Sequence, residues 1–307
     1  MQNTIYKEQR QGTNLESIKI KGMAKVNLGL DVLRRRPDGY HDVKMIMQTV
    51  NIYDELELSK SEENTIKITC DTDELPCDDS NLIYKAARLL LEHENCTEGV
   101  SIHLKKQIPI AAGMAGGSTD AAATLLGLNE LFGFKKSKKE LAKIGVKIGA
   151  DVPYCIYGGT CLSEGIGEVL TTLPAAPECF VVVAKPHIGV STKYVYENLH
   201  ADTLKKHPDI DGMIEAIKEN DIVKVADKME NVLETVTIKK YPEIEQLKNI
   251  LLENGALNAL MSGSGPTVFG LFTNKNAAEK ALEKVEETGL VAQGFVTEFA
   301  KETGLIG

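Results

Sequence analysis

The run PIAAGMAGGSTDAAA, from Pro109 to Ala123, constrains this chain more than any other stretch. Apart from Met114, nothing between Ala111 and Gly117 is larger than alanine. Backbone can therefore approach a ligand closely, and glycine can take positive φ without steric penalty. The segment before the run, Val100 to Leu104, alternates like a strand. The segment after it, Ser118 to Phe132, carries Ala121, Ala122, Leu125, Leu128, Leu131 and Phe132 at helical spacing. Ser118, Thr119 and Asp120 favour a helix start, so unpaired backbone N–H groups and the positive end of a helix dipole gather where the loop ends. Such an arrangement binds an anion with few cations, and a nucleotide phosphate is the anion expected. A turn that only lets strand and helix pack closely has the same composition, and from the run alone both readings stay open. The chain has no GxxxxGKS or GxxxxGKT, and these glycines do not fit GxGxxG, which excludes the two best-known phosphate loops.

With 307 residues, 43% of them hydrophobic, the chain can bury a substantial core in one large or two modest domains, and two are favoured. Net charge is −9, and Arg34, Arg35 and Arg36 form the one basic triplet. Nucleic acid is thereby excluded as the expected partner, and an anionic substrate must be held by local donors. The first seventeen residues are polar and read as an extension, and no stretch reaches the roughly eighteen apolar residues that span a bilayer. The expectation is a cytoplasmic protein without a membrane partner, acting as a monomer or weak homodimer. Cysteines at 70, 77, 96, 155, 161 and 179 show neither CxxC nor metal-finger spacing, which predicts reduced thiols.

Ile18 to Leu33 alternates as β structure with a break near Gly22, placing Lys25 and Asn27 on the face opposite Val26 and Leu28. Pro37, Asp38 and Gly39 make a turn before Tyr40 and His41. Val43 to Val50 and Ile52 to Leu58 read as two strands joined at Asn51, and Ile66 to Cys70 as a third. Ser80 or Asn81 caps a helix Leu82 to Glu94, and Ser137 caps another through Ile148. Asp151 stands before Val152 and Pro153, where a helix N-cap is the commonest use of aspartate. Gly158 to Ser163 and Glu168 to Thr172 form a hairpin, and the proline-bearing stretch Thr171 to Glu178 is the predicted domain boundary. Beyond it come a strand Cys179 to Ala184 and a helix from near Ser191. Helices are predicted at Gly212 to Asn220, Ile222 to Leu233 and Ile244 to Asn254. Strands Leu257 to Met261 and Thr267 to Phe272 flank the tight turn SGSGP, followed by a helix Asn276 to Glu287 and a strand Val291 to Glu298. Elements interleave without regular βαβ repeats, which predicts α+β rather than a doubly wound sheet.

Four separated blocks, AKVNLGLDVLRRRPDGYHD, the run from Pro109, GADVPY and MSGSGPTVF, together resemble the GHMP kinase superfamily over Ile18 to Phe299. The loop departs from the family's Gly-Leu-Gly and Ser-Ser pattern at Met114, Ala115 and Thr119. The resemblance implies a two-domain fold: a ribosomal-protein-S5-like nucleotide domain (18–174) and a C-terminal GHMP α/β-sandwich substrate domain (175–307), with substrate between them. It implies ATP and Mg²⁺ as cofactors. Pro109, Ile110, Ala111, Ala112, Gly113, Met114, Ala115, Gly116, Gly117, Ser118 and Thr119 would wrap the ATP phosphates, with Ser118 as the metal contact. Asp151 would be the catalytic base and Lys25 the catalytic lysine. The RRPDGYH and GADVPY blocks resemble those superfamily members that phosphorylate the 2-hydroxyl of 4-diphosphocytidyl-2-C-methyl-D-erythritol in the non-mevalonate isoprenoid pathway. On that resemblance Asn27, Tyr40, His41 and Tyr196 bind substrate, with Tyr194 as the substitute if the register around Ser191 shifts. A mevalonate- or homoserine-type kinase, or a nucleotide-binding protein without catalysis, are the alternatives.

Overall fold

The computed structural model describes residues 15–300 and 305–306; of the polar extension predicted over residues 1–17, only 15–17 fall among the described residues. Strands β1 (Ser17–Arg35) and β2 (His41–Ser61) form a long antiparallel hairpin around the Pro37–Gly39 turn. Neither is interrupted as the pattern suggests. Register shifts at Met23/Lys25, Asn27/Gly29 and Val32/Arg34 absorb the irregularity within one ladder, and β2 runs through Asn51. β3 (Ile66–Cys70), α1 (Leu82–His93), β4 (Gly99–Lys105), α2 (Gly116–Leu131), α3 (Lys138–Gly145), α4 (Val152–Tyr157) and the hairpin β5 (Thr160–Gly165) with β6 (Val169–Thr172) follow. The caps explain two of these starts. The Asn81 side chain accepts from Ile83 N–H at α1, and Ser137 forms a capping box with Glu140 at α3.

The chain continues as β7 (Phe180–Pro186), α5 (Thr192–Asn198), α6 (Ile210–Lys218), α7 (Ile222–Asp227), α8 (Glu234–Lys240), α9 (Glu243–Glu253), β8 (Asn258–Met261), β9 (Val268–Phe272), α10 (Lys275–Glu286), β10 (Val291–Glu298) and β11 (Leu305–Ile306). The helix expected over Ile222 to Leu233 stops at Asp227. Asn231 forms a β-bridge to Leu30, while its amide donates to the Met261 and Gly263 carbonyls, both at 2.8 Å. Those long-range bonds outweigh helix continuation, and α8 starts anew behind them.

One sheet of seven strands has the order β11-β1-β2-β4-β3, with β5 on β2 and β6 on β5; a second, antiparallel sheet has the order β10-β7-β9-β8. The mixed architecture is the α+β class expected. One apolar cluster runs from the first sheet with α1 and α2 to the second sheet with α9 and α10. Another joins Ala24, Val26 and Leu28 of β1 to Val181 and Val183 of β7 and to α6. Covering of β1 on both sides buries it almost continuously from Ile20 to Val32. Lys25 and Asn27 are consequently 4% and 1% exposed, where a solvated strand face would leave them open. Among the described residues no helix is long and apolar enough to cross a membrane.

Candidate active site

The glycine run closes over the end of β1. Ala111, Gly113 and Ala115 all take positive φ, at 51°, 74° and 59°. At Gly113 the close approach is decisive, since a Cβ there would meet the Ser262 carbonyl oxygen at 2.3 Å. The SGSGP turn of the second sheet thus rests directly on the phosphate-loop candidate. The Gly113 carbonyl accepts from Lys25 Nζ and from Ser262 Oγ, each at 3.0 Å. Helix α2 starts two residues earlier than predicted, with Ala115 at the N-cap and no side-chain cap. Ser118, Thr119 and Asp120 are therefore inside the helix and not before it. The Thr119 hydroxyl donates to the Met23 carbonyl at 2.6 Å, tying the helix to β1.

A cavity of about 760 Å³ opens above this loop, and its lining includes Lys25, Asn27, Tyr40, His41, Asp151 and Tyr196. Pro109 to Ser118 line it as well, except Met114, whose side chain is fully buried in the core between the sheets. Thr119 is absent from the lining for the reason just given. Lys25 Nζ sits 2.9 Å from Asn27 Oδ1 and 3.9 Å from Asp151 Oδ2. Asp151 occupies the N-cap position of α4 yet makes no side-chain cap hydrogen bond, so its carboxylate stays directed to the cavity and Lys25. Gly149 leaves room beside it: a Cβ there would lie 3.7 Å from Ser118 Oγ, which places that hydroxyl against the turn carrying Asp151.

On the cavity wall the His41 and Tyr196 rings pair at 5.2 Å between centroids, tilted by 41°. Tyr194 is not in that pair; the Lys240 ammonium covers its ring at 3.7 Å. Between the two tyrosines considered for that position, the cavity holds Tyr196. Burial, and then the Arg35 guanidinium, push the His41 imidazole below its ordinary 6.5, so it is neutral near pH 7. Burial raises the Tyr196 phenol, with the Asp151 charge adding to it. Tyr40 stands 59% exposed at the rim. Thr192 and Ser264, also in the lining, bond to each other at 2.8 Å across the mouth.

Sequence reasoning missed Lys106, Asp54 and Asp120. The Lys106 ammonium bridges Asp54 and Asp120, the latter at 3.0 Å, all three almost wholly buried. The signal was present in β2: Ile52, Asp54, Leu56 and Leu58 share the inward parity, and a charge among them requires a partner. Two carboxylates face one ammonium, and Asp120 Oδ1 has no partner among the described residues. Burial raises the Asp120 carboxyl well above its ordinary 3.8, with Lys106 opposing and Asp54 reinforcing the shift. The folded state therefore holds this proton more tightly than the unfolded chain, and its contribution to stability falls as pH rises above about 4. Asp120→Asn, which cannot ionise, is expected to gain thermal stability relative to the parent as pH rises above about 4, the ordinary value of the carboxyl. A melting-temperature difference that does not change with pH would contradict this protonation.

The GHMP kinases N terminal domain model matches residues 81–159, and the GHMP kinases C terminal model matches residues 213–290. A 4-diphosphocytidyl-2-C-methyl-D-erythritol kinase of Lachnoclostridium phytofermentans is 53% identical over 93% of this chain and 98% of its own length. The same kinase of Lachnospira eligens is 50% identical over 92% and 99%. A crystal structure of 4-(cytidine 5'-diphospho)-2C-methyl-D-erythritol kinase superposes with a TM-score of 0.78 at 29% identity, covering 92% of this chain and 99% of that one. A homoserine kinase from Cytophaga hutchinsonii, at 24% identity and a TM-score of 0.77 over 98% of each chain, shares the fold. With identity of this order over nearly the full length, both GHMP domains and the cavity between the two sheets, the chain belongs to the 4-diphosphocytidyl-2-C-methyl-D-erythritol kinase family of GHMP kinases.

Proposed function

We propose that the chain transfers the γ-phosphoryl group of ATP to the 2-hydroxyl of 4-diphosphocytidyl-2-C-methyl-D-erythritol. The observation that carries this reading is one continuous cavity with the small-residue loop, the Lys25–Asp151 pair and the His41–Tyr196 ring pair on its walls. Phosphoryl transfer asks the protein for alignment, charge stabilisation and removal of one proton. The backbone N–H groups at the start of α2 receive the phosphates. Asp151 accepts the proton of the acceptor hydroxyl. Lys25, anchored on Asn27 and Gly113, holds its ammonium where charge develops on the attacking oxygen. Neutral His41 offers one ring donor and one ring acceptor to a base edge, and the Tyr196 ring offers a stacking face.

Residues 18–174 then form the nucleotide-binding and catalytic domain, which also brings Asn27, Tyr40 and His41 to the substrate, and residues 175–307 form the substrate domain that brings Tyr196, in a cytoplasmic enzyme working as a monomer or weak homodimer. Among the described residues no group of three or more His, Cys, Asp or Glu side chains forms a cation cage. A Mg²⁺ carried chiefly by phosphate oxygens and water needs only one or two protein oxygens, and the Ser118 hydroxyl beside the Asp151 turn fits that need. When bound, the ion neutralises charge on the transferring phosphoryl group.

The test is ADP release with ATP and Mg²⁺, comparing the cytidine diphosphate alcohol with the same alcohol lacking its cytidine diphosphate, with mevalonate and with homoserine. Release with the cytidine compound alone is expected. Release with another alcohol would remove the cytosine role of Tyr40, His41 and Tyr196, and release with none would overturn the activity.

A further inference from the structure

The phosphate-loop candidate leaves β4 at Lys106 and enters α2 at Gly116, and its two ends meet beneath it. On the entering side, Asp54 Oδ1 accepts from the Gln107 and Ile108 N–H groups at 2.6 and 2.8 Å, immediately before Pro109. On the leaving side, Asp120 projects from α2 just past its first turn. Lys106 joins them, its ammonium contacting Asp54 Oδ2 and, at 3.0 Å, Asp120 Oδ2. Gly116 makes the passage possible, since a Cβ there would come within 3.0 Å of Lys106 Nζ. The Lys106 backbone N–H is held in turn by Asp71 Oδ1 at 2.9 Å, so the side chain starts from a fixed point.

We propose that Asp54 and Lys106 are positioning residues for the nucleotide: with Asp120 they form a buried clamp that sets the distance between the two ends of the loop. The proposal rests on the loop's role as the ATP-phosphate site. A loop of small residues, with two alanines at positive φ, has few side-chain contacts of its own to define its width. The clamp supplies that definition from below. Buried charge-assisted hydrogen bonds are directional and are not screened by solvent. Asp54 is fully buried and absent from the cavity lining, so it can act on a nucleotide only through the loop. Lys106 and Asp120 reach the lining itself, and the carboxylate behind them tells a clamp from a direct contact.

The experiment is calorimetric titration of the folded full-length protein with ATP, without acceptor, for the parent, Asp54→Asn, Lys106→Met and the double variant. Asp54→Asn is isosteric and keeps an oxygen for the two backbone N–H groups, but turns an amide towards the lysine. Each single variant is expected to weaken ATP about ten-fold, the loss of roughly one hydrogen bond to a charged group. The double variant is expected to lose no more than either alone, because both break the same bridge. Unchanged ATP affinity in Asp54→Asn, with a loss in Lys106→Met, would mean that Lys106 touches the nucleotide directly and would overturn the clamp. Lower melting temperatures with unchanged ATP affinity in both would reduce the three residues to fold stability and overturn it as well. If Asp54→Asn does not fold, Asp54→Glu is titrated in its place, since this position lies outside the cavity lining, and a ten-fold loss is again required. Titration needs no acceptor, so failure of the transfer assay with retained ATP effects would refute the proposed activity and leave the clamp standing.

Discussion

Asp151→Asn is expected to fold, to bind ATP with little change, and to transfer its phosphoryl group about a thousand-fold more slowly, within the range a general base contributes. The substitution is a clean one here. Asp151 stands at the N-cap of α4 without using its side chain for the cap, and asparagine is as acceptable there as aspartate. Shape and the neighbourhood of Lys25 at 3.9 Å are kept, and what disappears is the capacity to take a proton. Single-turnover phosphoryl transfer and ATP titration on the same preparation separate the two effects. Transfer within ten-fold of the parent would remove Asp151 from the role of base. An equal loss in ATP affinity would instead place it in nucleotide binding.

Lys25→Met is expected to lower kcat about a hundred- to a thousand-fold, the order seen when one preorganised transition-state donor is removed. Methionine approximates the length and volume of lysine, so the packing between the sheets is largely retained. Three contacts go. The Gly113 carbonyl loses one of its two donors and keeps Ser262 Oγ, Asn27 Oδ1 loses the ammonium that donates to it, and Asp151 loses its positive neighbour. If charge on the attacking oxygen is what Lys25 serves, the effect falls on kcat, with KM for ATP changed by a few-fold at most. A loss confined to KM for ATP would assign Lys25 to shaping the loop alone, and steady-state kinetics in both substrates distinguishes the outcomes.

Much of the fold was readable because the chain's local signals agree with its tertiary contacts. Asn81 and Ser137 mark helix starts that the structure uses, and the turn glycines fall where hairpins close. The misreadings share one cause, the tertiary bond that overrides a local pattern. Gly22 and Asn51 look like interruptions, yet ladder bonds on both sides carry β1 and β2 through them. Asn231 lies inside an apolar helical period, but its amide has better partners in the Met261 and Gly263 carbonyls. Ser118 to Asp120 resemble a cap, while Thr119 and Asp120 bond to Met23 and Lys106. At the site, motif residues were legible one by one, but not their meeting, since Lys25 and Gly113 are 88 positions apart and Gly113 and Ser262 are 149. The Asp54–Lys106–Asp120 group escaped because a lysine beside another lysine before a loop looks solvated. Only the parity of β2 hinted at a buried charge.

The main chain crosses between the two sheets on one side of the molecule's shared core. The chain leaves β6 at Thr172 for β7 at Phe180, with Leu173 and Ala176 pinned through their N–H groups to Thr160, and it comes back after β10 where Phe299 bridges Val50. Between these crossings the buried side chains of β1, β7 and α6 fill the space, and such an interior transmits position instead of letting it drift. The height at which Ser262 meets Gly113 over the nucleotide loop is thereby inherited from the packing of two sheets and not from the turn itself.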